Sequence, residues 1–74
     1  MADGFVHTVY KGGEWVNEIE GDAVFGGTYA TKEDAVAAGR ARAKEDKTEH
    51  VIHTQDGVIA ERNSYGNDPA SSRG

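Results

Sequence analysis

Residues 31–46 read TKEDAVAAGRARAKED, and this stretch carries the helix signal around which the rest of the fold is arranged. Thr31 is a residue type that caps helix N-termini, and the acidic pair Glu33 and Asp34 suits the positive end of the helix dipole. We therefore predict a helix over Lys32–Asp46. The predicted buried stripe consists of small residues with one exception: Ala35, Val36, Ala38, Gly39 and Ala43. Close packing on a sheet would explain a glycine that costs roughly 1 kcal/mol of helix propensity.

A β-hairpin is predicted before this helix. The segments Phe5–Tyr10 and Trp15–Glu20 are rich in β-branched and aromatic residues. The two glycines at 12 and 13 can adopt the positive φ angles that a tight turn between these strands requires. Trp15 is interpreted as a core anchor. Residues 20–30 contain several glycines around a short apolar patch, and we expect them to form an ordered connector that could add a strand turn.

A second hairpin is predicted after the helix, because Asp56-Gly57 is a strong two-residue turn signal. Its strands are expected at Glu49–Gln55 and Val58–Asn63. A two-residue turn pairs Thr54 with Ile59 and Ile52 with Glu61, which would place Ile52 and Ile59 on one face of the sheet.

These elements predict an α+β fold of the order ββαββ. The third strand is expected to lie antiparallel beside the first, which gives a four-stranded antiparallel sheet of strand order 2-1-3-4 with one helix packed on one face. We expect a single domain over residues 1–63. Residues 64–74 have too few apolar groups to offset their ordering entropy and are predicted to be a flexible tail.

A single helix leaves the other side of the predicted sheet uncovered, and several apolar residues would be exposed there. We therefore expect a homodimer that forms through this sheet face or through an edge strand. The tail residue Tyr65 could dock on the neighbouring subunit or on a protein or peptide partner. The candidate interface residues are Val6, Tyr10, Val16, Val51, Val58, Ala60 and Tyr65.

The composition of the 74-residue chain restricts its location and its partners. Thirteen acidic and eight basic residues give a net charge of −5, which disfavours nucleic acid and membrane partners. The chain has no cysteine, which fits a reducing compartment, and its first residues lack an export signal, so we expect a cytoplasmic protein. One basic stripe on the helix remains a candidate nucleic-acid contact: Arg40, Arg42, Lys44 and Lys47.

The sequence predicts no catalytic residue, no metal site and no cofactor. Cysteine nucleophiles are lacking, and the serines at 64, 71 and 72 lie in the predicted tail. His50 and His53 should point to opposite faces of a strand, whereas His7 and His53 could be neighbours if the first and third strands pair. We interpret these histidines as ordinary strand residues, and the protein as not an enzyme.

Several short motifs carry a family resemblance. They are His7 with Val9, Gly-Gly-Glu-Trp at 12–15, Thr-Lys-Glu-Asp-Ala at 31–35, Val-Ile-His at 51–53, Gln-Asp-Gly at 55–57 and Asn-Ser-Tyr-Gly-Asn-Asp-Pro at 63–69. Through them nearly the whole chain resembles a bacterial family of small proteins, domain of unknown function 2188. Asn17 departs from that pattern, since the family is more often apolar there. The resemblance implies a helix on a small sheet, and it implies no activity, ligand or catalytic residue.

The functional hypothesis that follows is a non-enzymatic, self-associating binding or structural module. The alternative is a nucleic-acid-associated accessory protein that uses the basic stripe of the helix.

Overall fold

The computed structural model describes residues 4–21 and 24–66 of the chain. Its elements are β1 (Val6–Lys11), β2 (Glu14–Ile19), β3 (Val24–Tyr29), α1 (Lys32–Asp46), β4 (Glu49–His53) and β5 (Ile59–Ser64). The five strands form one sheet of order β3-β2-β1-β4-β5. The α+β class and the helix bounds are confirmed.

The predicted four-stranded antiparallel sheet is wrong, because residues 24–29 form a strand of their own. β3 pairs antiparallel with β2 at one edge of the sheet. Each additional antiparallel strand reverses the chain direction, so β3 runs in the same direction as β1. The helix then returns the chain to the start of the sheet, and β4 runs parallel to β1. The sheet is therefore mixed, with one parallel pair at its centre.

The first hairpin forms as predicted. Its turn places Gly12 at φ 57° and Gly13 at φ 88°, a region that glycine enters without a steric penalty. The register pairs Tyr10 with Trp15 and Thr8 with Asn17, so these four side chains lie on one face of the sheet.

The second hairpin reverses at Asp56-Gly57, but its register differs from the prediction at one point. Ile52 pairs with Glu61 as predicted. A register shift then pairs His53 with Ile59, so Ile59 lies on the face opposite to Ile52 rather than on the same face. Thr54 bonds to Val58 across residues 55–57, so the turn is one residue longer than predicted. The Thr54 hydroxyl holds this turn by accepting hydrogen bonds from the backbone N–H groups of Asp56 and Val58.

The helix is capped at both ends. The Thr31 side chain accepts a hydrogen bond from the backbone N–H of Asp34, as the sequence predicts. At the other end Lys47 adopts a left-handed conformation with φ 56° and ψ 54°, and its N–H bonds to carbonyls of the last turn. In the described part of the chain, α1 packs near β1, β2, β3 and β4 but makes no close approach to β5.

The helix lies against the sheet at Gly39, as its small-residue stripe predicts. A Cβ atom at this position would lie 2.6 Å from the side chains of both Asn17 and His50. The core around this contact includes Val6, Trp15, Ala35, Ala43 and Ile52. Trp15 is only 6 % exposed, which confirms its interpretation as a core anchor.

The chain beyond β5 begins by packing on the end of α1. Ser64 is the last residue of β5, one position beyond the predicted domain boundary. The Tyr65 N–H donates to the Thr48 carbonyl, and Gly66 is so close to Lys47 that a Cβ would lie 2.6 Å from its carbonyl oxygen. The rest of the predicted tail, residues 67–74, lies outside the described residues, and its flexibility stays a prediction.

Among the described residues, no helix combines the length and the apolar character that a bilayer span requires.

Candidate functional site

A polar cluster lies in the core, between α1 and the centre of the sheet. Thr8, Asn17 and His50 are each 0 % exposed. The Thr8 hydroxyl donates to Asn17 Oδ1 at 2.6 Å and lies 2.7 Å from His50 Nε2. Asn17 Nδ2 donates to the Ala35 carbonyl oxygen at 3.0 Å. The cluster therefore joins three neighbouring strands to the helix.

The hydrogen bonds of the cluster fix the position of each proton. Asn17 must present its NH₂ group to the Ala35 carbonyl, so its oxygen faces Thr8. A hydroxyl has only one proton, and Thr8 gives it to this oxygen. Thr8 must then accept the second bond, which makes His50 the neutral tautomer with its proton on Nε2.

This tautomer leaves the other ring nitrogen of His50 unsatisfied. His50 Nδ1 is buried and has no hydrogen-bond partner among the described residues. Burial, together with the positive charge of Arg40, lowers the pKa of His50 to about 4, while Glu61 opposes the shift. His50 is therefore neutral at physiological pH.

The buried cluster positions the helix and cannot reach a substrate, since none of its three side chains is exposed. Sequence reasoning did not find it. Its signal in the sequence is Asn17, a polar residue that alternates with the apolar Trp15 and Ile19 in β2. The other two members come together only through the pairing of β1 with β4, which joins Thr8 to Ile52 and Val6 to His50.

The accessible face of the sheet is the one turned away from α1, which we call the outer face. Cross-strand pairing aligns Thr28, Val16 and Val9 across this face and pairs His53 with Ile59. The register of β1 with β4, continued by one residue beyond Thr8 and Ile52, places Val9 beside His53. We call these five residues the outer row: Thr28, Val16, Val9, His53 and Ile59. Five strands at about 4.8 Å spacing make the outer row about 20 Å long. Ile59 is 53 % exposed, whereas Val16 is only 5 % exposed.

An ion pair crosses the outer row beside Val16. Lys11 lies two residues beyond Val9 in β1, and Glu18 lies two residues beyond Val16 in β2. The two strands run in opposite directions, so these charges lie on opposite sides of the outer row. Their side chains form a salt bridge that passes over the row between Val9 and Val16.

A chain of hydrogen bonds follows the same face. His7 Nε2 donates to Glu20 Oε1 at 2.9 Å, so its Nδ1 is free to accept from His53 Nε2 at 3.0 Å. This confirms that His7 and His53 are neighbours and that His50 points to the opposite face. In residues 4–21 and 24–66, no group of three or more histidine, aspartate or glutamate side chains is placed to hold a metal ion.

The structure separates the predicted interface residues into four groups. Val6 is 0 % exposed and lies with Tyr10 on the helix side, so these two cannot join an outer patch. Val16 and Val51 lie on the outer face. The exposed Val58 and Ala60 lie near the β4–β5 turn, and half-buried Tyr65 lies at the end of α1. These residues therefore do not form one patch, because the register of β1 with β4 places Val6 on the same face as Ile52.

The predicted basic stripe has structural roles at three of its four positions. Arg42 Nε donates to Asp46 Oδ2 at 2.8 Å, and its guanidinium lies 4.9 Å from the centre of the Phe25 ring. The Lys44 amine lies 5.6 Å from the centre of the Tyr65 ring. Lys47 forms the helix C-cap. Arg40 lies on the exposed surface of the helix.

Comparison with protein families gives one result. A family model described as an uncharacterised protein conserved in bacteria, DUF2188, matches residues 6–65. The matched segment runs from the start of β1 to the residue after β5. Neither the curated proteins nor the solved structures contain a match. Because the family model covers well over half of the chain, the protein belongs to the DUF2188 family of uncharacterised bacterial proteins, as its sequence motifs predict.

Proposed function

We propose that the protein is a non-enzymatic module that associates with a second copy of itself through the outer face of its sheet. The supporting observation is the outer row, which crosses all five strands on the face that the helix leaves uncovered. Its end residue Ile59 is a large apolar side chain that is 53 % exposed. Val24 lies on the same face at the opposite edge and is 46 % exposed. Burying such groups against a partner is favourable.

The outer face is a better candidate than an edge strand. Both edges of the sheet carry a register shift, one where β3 pairs with β2 and one where β5 pairs with β4. In β3 the shift includes Gly26 and Gly27, both at positive φ. Bulges of this kind twist an edge and interrupt its row of free backbone groups, which opposes strand addition.

The proposal includes a cytoplasmic location and no catalytic role. A cysteine-free chain fits a reducing compartment. The buried polar cluster supports a non-enzymatic role, because its hydrogen-bonded groups are enclosed between the helix and the sheet and serve their packing.

A matched pair of substitutions tests the role of the outer face. Ile59→Lys places a charge in the outer row. Val58→Lys places the same charge one residue earlier in the extended chain, where the side chain points to the opposite side of the sheet. The two residues are similarly exposed, at 53 % and 62 %. We expect sedimentation velocity over a concentration series to show a dimer for the wild type and for Val58→Lys, and a monomer for Ile59→Lys, because a lysine cannot be desolvated there at low cost.

Two results would contradict the proposal. One is a wild-type chain that stays monomeric throughout the micromolar range and above. The other is equal weakening by both substitutions, which would place the interface elsewhere on the molecule.

A further inference from the structure

We propose that Lys11 and Glu18 exchange their salt bridge when two copies associate, so that each Lys11 pairs with Glu18 of the partner copy. This inference rests on the proposed function and identifies the charges that would align the two copies. It starts from the Lys11–Glu18 ion pair that passes over the outer row.

The ion pair obstructs the surface on which a partner would dock. Lys11 and Glu18 cross between Val9 and Val16, and Val16 is 5 % exposed beneath them. Their own side chains are 60 % and 29 % exposed. An ion pair so near water is weakly held, so its two partners can separate at little cost.

Symmetry decides where the separated charges can go. Two stacked sheets lie about 10 Å apart, and the simplest symmetric arrangement is a two-fold axis between them. An axis that runs along the outer row brings each Val9 over Val9 of the other copy. It also exchanges the two sides of the row, so that Lys11 of one copy and Glu18 of the other come to lie on the same side, over neighbouring strands.

The surface is therefore self-complementary in charge. Each copy supplies one cation and one anion, on opposite sides of the row and in adjacent strands. The symmetric pair contains two intermolecular salt bridges in place of two intramolecular ones. Since the number of ion pairs does not change, uncovering Val9 and Val16 adds apolar contact without leaving a charge unpaired.

A mixing experiment separates exchange between copies from pairing within a copy. Lys11→Glu carries two anions beside the outer row, and Glu18→Lys carries two cations. Each variant alone should dimerise about tenfold or more weakly than the wild type, because like charges face each other. An equimolar mixture should form a heterodimer with an affinity close to that of the wild type, measured by sedimentation of one fluorescently labelled variant against the other.

Matched controls separate the exchange from a general effect of surface charge. The double variant Lys11→Glu with Glu18→Lys keeps opposite charges and should dimerise as the wild type does. The helix pair Arg42→Glu and Asp46→Arg reverses another exposed ion pair far from the outer row, and mixing these two variants should not change the affinity. Circular dichroism of each single variant reports whether it is folded.

The possible results are distinct. Recovery of affinity only in the mixture of Lys11→Glu with Glu18→Lys supports the exchange. If the wild type is a dimer but mixing Lys11→Glu with Glu18→Lys does not raise the affinity, the exchange is overturned and the proposed function is left in place. A wild type that is monomeric at all concentrations overturns both.

Discussion

Gly39 shows how one residue determines the distance between helix and sheet. Its missing side chain leaves room for a Thr8 hydroxyl, an Asn17 amide and a His50 ring directly beneath the helix. A Cβ would lie 2.6 Å from two of these groups and 3.0 Å from the third. The polar groups that this close approach buries are paired with one another, apart from one ring nitrogen.

We expect Gly39→Ala to lower the free energy of unfolding by about 1–3 kcal/mol, because the new methyl group overpacks the polar cluster. Helix propensity alone would raise stability by roughly 1 kcal/mol, so the sign of the change distinguishes the two effects. Urea unfolding measures it. Ala37→Gly on the exposed side of the helix is the control and should cost about 0.5–1 kcal/mol. A more stable Gly39→Ala variant would contradict the close contact.

The sequence predicts this residue well and its partners poorly. A glycine inside a helix of small buried residues already indicates close packing. The partners Asn17 and His50 come from two different strands, and their meeting depends on strand order, which local patterns do not encode. Asn17 alone gives a signal, as a polar residue in an otherwise buried position.

At the level of elements, the residue that caps the C-terminus of the helix is the feature that the sequence does not predict. Glycine is the usual residue in the left-handed conformation that ends a helix, but here that position is Lys47, with φ 56°. The N-terminus follows the rule, because Thr31 is a good capping residue. The C-terminal bound is therefore predicted correctly from the loss of helical pattern, without its capping residue being recognised.

We expect Lys47→Gly to raise the free energy of unfolding by about 0.5–1 kcal/mol, because glycine adopts positive φ without the steric cost that lysine has. Thermal and urea unfolding both measure this change. Lys47→Ala is the control, since it removes the same charge but keeps the Cβ, and it should not be stabilising. An equal gain in both variants would attribute the effect to charge.

The strand β3 marks the limit of prediction by local pattern. Its six residues include Gly26 and Gly27, which lower β propensity and are each at positive φ. Its pairing with β2 is interrupted by a register shift. A short, glycine-containing edge strand of this kind resembles a loop in the sequence, and only its partner makes it a strand.

At the level of the whole molecule, this one missed element changes the topology. The helix and both chain reversals are predicted correctly, yet one additional strand before the helix reverses the direction in which the chain re-enters the sheet. The register of β1 with β4 then places Val6 and Ile52 on the same face, under the helix. Which residues share a face of the sheet depends on this global information, which local sequence patterns do not contain.

The buried histidine makes the stability of the whole molecule depend on pH. The ordinary pKa of histidine is 6.5, and in the folded protein the pKa of His50 is lowered to about 4. Between these values the unfolded chain binds more protons than the folded one. The contribution of neutral His50 to the free energy of unfolding is therefore complete above about pH 6.5 and is lost as the pH falls toward 4. This contribution amounts to about 3 kcal/mol.

Urea unfolding at a series of pH values should show this loss in the wild type. The variant His50→Gln lacks the titrating ring, so its pH dependence should be flatter by about the same amount, with carboxylates contributing equally to both chains. In case this variant folds poorly, NMR of the wild type gives an independent result. The His50 ring signal should not show protonation between about pH 7 and about pH 5. A normal titration there would contradict the burial of a neutral ring.

The parallel pairing of β1 with β4 also has a consequence for folding kinetics. Residues 6 and 50 are neighbours in the sheet but lie 44 positions apart in the chain. The two hairpins and the helix can each form by local contacts, whereas this central pair has to close a long loop before it gains any contact. The rate-limiting step of folding should therefore be the joining of two preformed halves of the sheet beneath the helix.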